Sequence, residues 1–260
     1  MRIVFLGVGE ACDERHFNTS LLVEAAVGRD RRKMLLDCGF SSAHRYFAWE
    51  TDPDSLDAVW ISHFHGDHFL GLPLVLLRFW EGRRSKPLAI MSRPGGGRIV
   101  REAMELAYPG FWGRLQFPVE EVTLEPGADV EWGGLWWRTA PSEHGQPNLS
   151  LRLEAPEGSL FYSGDGRPTV ETTRLARRCD LAVHEAFVVD DGETVPGHGT
   201  VQGCLEWSES AQVQRLALVH IQRDVRHGQW KRIQEVVGAA ARTPVMIPED
   251  GDVLELGEES

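Results

Sequence analysis

Ile61-Ser62-His63-Phe64-His65-Gly66-Asp67-His68-Phe69-Leu70-Gly71 places three histidines and one aspartate within six residues, in the order H-x-H-x-D-H. Imidazole nitrogens and carboxylates are ligands that Zn²⁺ prefers. Four such groups on so short a stretch cannot all meet one ion tetrahedrally. They can serve two ions, with His63 and His65 facing one and Asp67 and His68 the other. The preceding Ala58-Val59-Trp60-Ile61-Ser62 reads as a buried strand. The following segment, Phe69 to Trp80, reads mostly as a helix, with Pro73 in its first turn, where a missing N–H costs little. The cluster therefore sits on a strand-to-helix loop, where functional residues are commonly displayed. A solvated His-rich loop is the plain alternative, and further ligand-type residues downstream weigh against it.

Upstream, Arg2 to Leu6 reads as a strand ending at Gly7. No helix promptly follows Gly7-Val8-Gly9, which argues against a dinucleotide-binding fingerprint. Leu21 to Ala26 and Met34 to Leu36 read as strands of a hairpin turning at Gly28-Arg29-Asp30. Ser41 to Trp49 reads as a short helix capped by Ser41 or Ser42. Downstream come a strand at Leu88 to Met91 and a helix near 98–107. The glycines at 95–97 lack the Lys-Ser/Thr of a P-loop, so they read as a plain turn rather than a phosphate cradle. Val119 to Thr139 reads as β, and Leu149–Glu154 with Leu160–Tyr162 as a second hairpin. Helices at about 170–178, 200–212 and 225–240 alternate with strands at 181–183 and 216–219. Two β-rich blocks, each followed by helices, give a mixed, layered α/β chain. No repeat, low-complexity run or linker composition divides it, so residues 1–260 read as a single domain.

At 260 residues and 42% hydrophobic content the chain can bury a sizeable core. Its net charge of -12 and pI of about 5.3 are a poor match for a protein whose main partner is a polyphosphate. The basic run Arg83-Arg84-Ser85-Lys86 reads as a solvated loop. Together with Arg167 it is also the one strip that could hold an RNA end. Cys12, Cys38, Cys179 and Cys204 are scattered and form no C-x-x-C, which fits a reduced, cytoplasmic chain. No signal peptide or apolar run of spanning length is present, so no membrane partner is expected.

The H-x-H-x-D-H cluster after a strand resembles the signature of the metallo-β-lactamase superfamily. The wording Ser62-His63-Phe64-His65-Gly66-Asp67-His68-Phe69-Leu70-Gly71-Leu72-Pro73 is similar to the ribonuclease Z branch in particular. Asn18-Thr19-Ser20 before a strand and Asp37-Cys38-Gly39 after the next resemble the superfamily's opening, in which that Asp braces the metal loop. Ser163-Gly164-Asp165-Gly166-Arg167-Pro168 resembles its S-G-D-T-x-P, with Gly166 in place of Thr. The resemblance implies a four-layered αβ/βα sandwich, with two mixed β-sheets flanked by helices. It also implies a dinuclear centre: His63, His65 and His144 for the first metal, Asp67, His68 and His220 for the second, and Asp165 bridging. An aspartate between two glycines is open to approach from both sides, which suits a bridge. Two Zn²⁺ fit the His-rich shell, and Mn²⁺ or Fe²⁺ would fit similar ligands.

His184-Glu185-Ala186-Phe187 and Gly197-His198-Gly199-Thr200 resemble the H-E-A-T and G-H-S-T of the ribonuclease Z branch. The resemblance implies that His198 protonates the leaving oxygen of a phosphodiester, with Glu185 as its orienting partner. Asp67 counts among the catalytic groups as well as the ligands. Only twenty residues separate His144 from Asp165, leaving no room for the long arm by which many bacterial ribonuclease Z enzymes grip tRNA. The usual Ser near the last ligand His is also missing from Val219-His220-Ile221-Gln222-Arg223. The expected substrate is therefore a small or cyclic phosphodiester, or an RNA 3′ end, and the chain can pair as a homodimer. Two readings compete with this one. A hydrolase of a carbon ester, thioester or lactone on the same scaffold has no use for the His198 and Glu185 pair. A non-catalytic metal-binding module has no need of a complete ligand set.

Overall fold

The computed structural model describes residues 1–190, 192, 195–240 and 242–257. Strands β1 (Arg2–Gly7), β2 (Ser20–Val27), β3 (Asp30–Leu36), β4 (Ala58–Ile61), β5 (Leu88–Ser92) and β6 (Val119–Thr123) lie side by side in one sheet. A second sheet takes β7 (Asp129–Trp132), β8 (Leu135–Pro141), β9 (Leu149–Ala155), β10 (Gly158–Tyr162), β11 (Leu181–Glu185), β12 (Leu216–Val219) and β13 (Val245–Met246). The last strand, β14 (Val253–Glu255), returns to the first sheet and pairs with β1. In each sheet three neighbouring pairs are antiparallel and three are parallel. The halves thus share one plan, although their sequences show no obvious repeat.

Alternation along the strands decides the layers. In β4, Ala58 and Trp60 face the core between the sheets, while Val59 and Ile61 face the helices outside. Successive strand side chains point to opposite faces, so a four-residue run of apolar residues serves two cores. Trp60 meets Trp137 of the opposite sheet, ring centres 6.5 Å apart. Helices α1 (Ser42–Trp49), α2 (Gly66–Phe69), α3 (Leu72–Glu81) and α4 (Gly96–Ala107) belong to the first half of the chain. Their apolar faces cover the outer side of the first sheet. Helices α5 (Val170–Ala176), α6 (Val201–Ala211), α7 (Arg223–Gly228) and α8 (Trp230–Ala240) follow, and side chains of all four join the core on the outer side of the second sheet. This is the four-layered αβ/βα sandwich that the resemblance implies.

Several local expectations are corrected. The helix expected from Phe69 starts earlier, as α2, and breaks at Leu70-Gly71 before α3. Asp67 and His68 therefore sit on a helical turn rather than in a loop. The break allows close packing: a Cβ on Gly71 would lie 2.0 Å from the Gly39 carbonyl, and one on Gly39 would lie 1.9 Å from that of Asp67. Ser41 stands at the N-cap of α1 but makes no side-chain capping bond. The Ser41 hydroxyl instead exchanges hydrogen bonds with Asn18. The last helix is two, divided at Gln229.

In the basic run Arg83 and Ser85 are exposed as expected, but Arg84 is not. Arg84 is buried, donates to the carbonyls of Pro53, Leu56 and Pro87, and stacks on Phe79 and Phe117. Lys86 pairs with Asp57 at 3.0 Å. The run precedes β5 and so lies at the end of the sheet opposite His63. Among the described residues no helix is long and apolar enough to cross a membrane. Three of the four free cysteines are buried.

A second His/Asp group pins the loop after β1 to α7. Asp13 accepts from His16 Nδ1 at 2.8 Å and from His227 Nε2 at 3.0 Å, and His16 Nε2 meets Glu249 at 2.8 Å. Burial alone would raise the Asp13 carboxyl. Hydrogen bonds from His227, the Arg15 amide and His16 outweigh it and hold the group at about 2, below the ordinary 3.8. A depressed carboxyl stabilises the fold fully above its unfolded value and loses that contribution as pH falls through the folded one. Asp13→Asn should therefore lower the urea midpoint of chelator-treated protein near pH 5–6, with a deficit that shrinks as pH drops from 3.8 towards 2. A deficit independent of pH would show that the carboxylate's charge is not what the loop uses.

Candidate active site

The seven candidate ligands meet at one edge of the sandwich, beyond strand ends. His63, His65 and His68 follow β4, His144 follows β8, Asp165 follows β10, and His220 follows β12. The site is built outward from Asp37, which ends β3 in a left-handed conformation (φ 59°). Its buried carboxylate accepts from the Ser62 amide, the Ser62 hydroxyl, His68 Nδ1 and the Tyr162 hydroxyl, each at 2.7 Å. Asp37 thereby braces the His-rich loop, and through Tyr162 it also ties that loop to the second sheet. The backbone joins in, with Cys38 N donating to His68 O and Gly71 N to Cys38 O.

Two groups of side chains result. In the first, His63 Nε2 and His144 Nε2 lie 3.0 and 3.1 Å from His65 Nδ1. In the second, Asp67 Oδ2 lies 3.2 Å from His220 Nε2 and 3.3 Å from His68 Nε2. Asp165 stands between them: its Oδ2 is 3.4 Å from His68 Nε2, 3.5 Å from His220 Nε2, 3.9 Å from His63 Nε2 and 4.0 Å from His144 Nε2. Within each group the ligand-type atoms lie within 4.8 Å of one another. The rings are oriented by their far nitrogens, His63 Nδ1 by Ser62 Oγ, His144 Nδ1 by the Gly197 carbonyl and His68 Nδ1 by Asp37. Such partners fix which nitrogen faces a metal.

The donor set fits divalent cations. Three imidazole nitrogens converge on a point where neutral rings cannot all satisfy one another by hydrogen bonds. His68 Nε2 and Asp165 Oδ1 are buried without a hydrogen-bond partner. The charges say the same. Burial and then neighbouring His68 push His63 well below the usual imidazole range, which leaves it neutral and ready to ligate. Burial would raise the carboxyls of Asp67 and Asp165, but histidines hold both far below the carboxylate range. Burial would lower His220, yet Asp165 and Asp67 outweigh it and lift it to about 9. His68 is raised likewise by Asp165 and Asp37. Two buried, ionised carboxylates are thus balanced by protonated His68 and His220, whose protons a bound cation would displace.

His198 lies at the edge of both groups. One of its nitrogens is within 4.8 Å of ligand atoms of Asp165 and His220, and its ring meets that of His144 edge-on, centres 4.9 Å apart. Glu185 is fully buried and its Oε1 is 3.4 Å from His198 Nδ1, longer than a formed hydrogen bond. Its oxygens are occupied by the amides of Gly199, Gly166 and Phe187 at 2.8, 3.0 and 3.1 Å. Glu185 thus sets the two loops that carry His198 and Asp165, rather than clasping the imidazole directly. Gly166, the departure from S-G-D-T, has φ 111°, and a Cβ there would lie 2.5 Å from Ser142 Oγ. A threonine does not fit this backbone.

Sequence reading missed three contributors. Tyr162 carries the bond to Asp37. Asn148 holds the Ser163 carbonyl at 2.9 Å, and Gln146 accepts from the Phe64 amide at 2.6 Å. The only sequence signal was a polar end on the apolar run Leu160-Phe161-Tyr162. Between His144 and Asp165 the chain is the β9–β10 hairpin, whose turn is Pro156-Glu157, and no arm is present.

A sandwich of this topology, with this set of motifs at one edge, is a metallo-β-lactamase-fold protein of the ribonuclease Z-like branch. Residues 1–237 match the family described as Anti-Pycsar protein Apyc1, and the chain belongs to that family. It is 28% identical to ribonuclease Z of Methanosarcina acetivorans over 276 residues, covering 85% of this chain and 87% of that one. The crystal structure of the metallo-β-lactamase fold protein YhfI from Bacillus subtilis superposes with a TM-score of 0.81 at 18% identity, with 98% of each chain covered. That of the short form of human tRNase Z gives 0.79 at 21% identity, over 98% of this chain and 99% of that one. At such identities the likeness to the two structures is one of fold.

Replacing Asp37 tests the brace. Asp37→Ala leaves the Ser62, Tyr162 and His68 groups buried and unpaired, which should cost roughly 3 kcal/mol or more in urea unfolding. Tyr162→Phe, which removes one donor, should cost only about 1 kcal/mol. Equal, small losses would show that the carboxylate is not central.

Proposed function

We propose that the chain is a metal-dependent phosphodiesterase acting on a small or cyclic nucleotide phosphodiester. The carrying observation is the sharing of Asp165 between two ligand groups, with His198 at their common edge. His63, His65 and His144 would hold one cation, Asp67, His68 and His220 the other, and Asp165 both. Two Zn²⁺ suit the imidazole majority, with Mn²⁺ or Fe²⁺ as substitutes. When bound, such a pair supplies positive charge to the phosphoryl oxygens and lowers the pKa of a water to near neutrality. The protein's own part is to place charge and protons. Ionised Asp67 would take up the proton that the attacking water loses. The water oxygen forms a bond to phosphorus as the bond to the leaving oxygen breaks. His198 then gives its proton to that oxygen, so that an alcohol rather than an alkoxide departs.

Three features favour a small substrate over a folded tRNA. The β9–β10 segment is a tight hairpin with no arm. The net charge is -12. The basic runs at 29–33 and 83–86 both lie at the far end of the first sheet, with Arg84 buried. Arg167 is the basic side chain at the site, and its Nε is taken by the His198 carbonyl at 2.8 Å. Hydrolysis of a carbon ester is the weaker reading, because the site keeps a histidine beside both ligand groups for a leaving group that must be protonated.

Two outcomes follow from this reading. His198→Ala should leave the metal content intact and lower kcat by about 10²–10⁴-fold on a phosphodiester with a poor leaving group. The loss should be much smaller for bis-p-nitrophenyl phosphate, whose p-nitrophenolate departs without a proton. Equal losses would remove the acid role. In a panel of cyclic nucleotides, dinucleotides, a pre-tRNA, a lactone, a thioester and a β-lactam, turnover should be confined to the small phosphodiesters and show little dependence on salt. Binding of the pre-tRNA should be weak and steeply salt-dependent. Correct 3′ cleavage of the pre-tRNA at physiological salt would restore the RNA 3′ end as the main substrate.

A further inference from the structure

We infer that Phe187 is the positioning residue for His198, holding the imidazole by ring stacking where a direct carboxylate clasp is missing; this rests on the acid role proposed for His198. Phe187 stands at the last place of His184-Glu185-Ala186-Phe187, where the resembling motif has Thr. Its ring lies against that of His198 with centres 4.4 Å apart and planes 25° from parallel. It also approaches the His220 ring, centres 6.0 Å apart. The other ring contacts of the imidazole are looser, His144 edge-on at 4.9 Å and His220 near-parallel at 6.0 Å. His198 Nδ1 is buried without a hydrogen-bond partner, and Glu185 Oε1 is 3.4 Å away and already accepts two amides. The backbone of His198 is held, by its own amide to Val195 O and by Arg167 Nε to its carbonyl. Those bonds leave the ring torsions free.

Phe187 is itself rigidly set. Its amide donates to the Gly199 carbonyl at 3.0 Å and to Glu185 Oε2 at 3.1 Å, and its carbonyl accepts from Gln222 N at 2.9 Å. One residue thus joins the loop bearing His198 to the loop bearing His220 and presents a flat face to the imidazole. Aromatic faces favour such stacked partners, and a proton donor misplaced by about 1 Å can lose much of its effect. A threonine at this position has no ring to offer, so its presence would call for another way of fixing the histidine.

The test is a double-mutant cycle on the metal-loaded enzyme, with Phe187→Ala, Phe187→Leu, Phe187→Tyr and His198→Ala. The readouts are kcat and KM for bis-p-nitrophenyl phosphate and for the poor-leaving-group phosphodiester turned over best, with metal content measured alongside. Phe187→Ala and Phe187→Leu should lower kcat on the poor leaving group by about tenfold, with KM and metal content little changed. Bis-p-nitrophenyl phosphate should be nearly unaffected. Phe187→Tyr, which keeps the ring, should retain most of the activity, and Phe187→Ala should add nothing in the His198→Ala background. Wild-type rates in both Phe187→Ala and Phe187→Leu, or a loss equal on both substrates and still present without His198, would overturn the positioning role. Phe187→Leu keeps apolar bulk in case Phe187→Ala fails to fold. If His198→Ala itself spares the poor leaving group, the acid assignment fails first, and that result is distinct from a Phe187 effect without a His198 effect.

Discussion

The Asp37 carboxylate is the constraint on which the rest of the site depends. It is buried, sits on a left-handed turn at the end of β3, and takes four hydrogen bonds. Two of them fix Ser62 at the start of the His-rich loop, one fixes the tautomer and direction of His68, and one reaches Tyr162 across the sandwich. A buried carboxylate is costly unless fully paired. Once paired, it can exist only when β3, β4 and β10 are all in place. Gly39 and Gly71 complete the arrangement, since both stand where a side chain would strike backbone.

A second buried carboxylate, Glu185, does the same for the other half. Its bonds to the amides of Gly166, Phe187 and Gly199 tie together the loops carrying Asp165 and His198. Asp37 follows β3, where antiparallel pairing gives way to parallel, and Glu185 ends β11, a strand with parallel neighbours on both sides. Histidines and carboxylates that would repel or desolvate one another are thereby held close enough to share cations. The site tolerates this because its far nitrogens and carboxylate oxygens are anchored in protein rather than in water.

Much of this was legible in the sequence. The spacing H-x-H-x-D-H after a buried strand could serve two ions and little else, and the strands at 58–61 and 216–219 were plain because both faces of each are buried. The roles of His144, Asp165 and His220 came through resemblance, since a lone histidine or aspartate after a strand carries no decisive pattern of its own. What escaped was set by tertiary contact. β13 and β14 are too short and too exposed to show a period. The early start of the helix at Gly66 depends on the close approach of Gly39. Arg84 looked solvated because its neighbours are charged, whereas three backbone carbonyls and two rings bury it. Glu185 looked like a partner of the His198 ring, but three amides from two loops claim its oxygens.

The central claim, that the two ligand groups act as one centre through Asp165, is tested most directly by anomalous scattering at the zinc edge from crystals of the zinc-loaded protein. The account predicts two peaks about 3.5–4 Å apart, one among His63, His65 and His144 and one among Asp67, His68 and His220, with the Asp165 carboxylate between them. A single peak in fully active protein, or a principal peak at Asp13, His16 and His227 with none at Asp165, would contradict it.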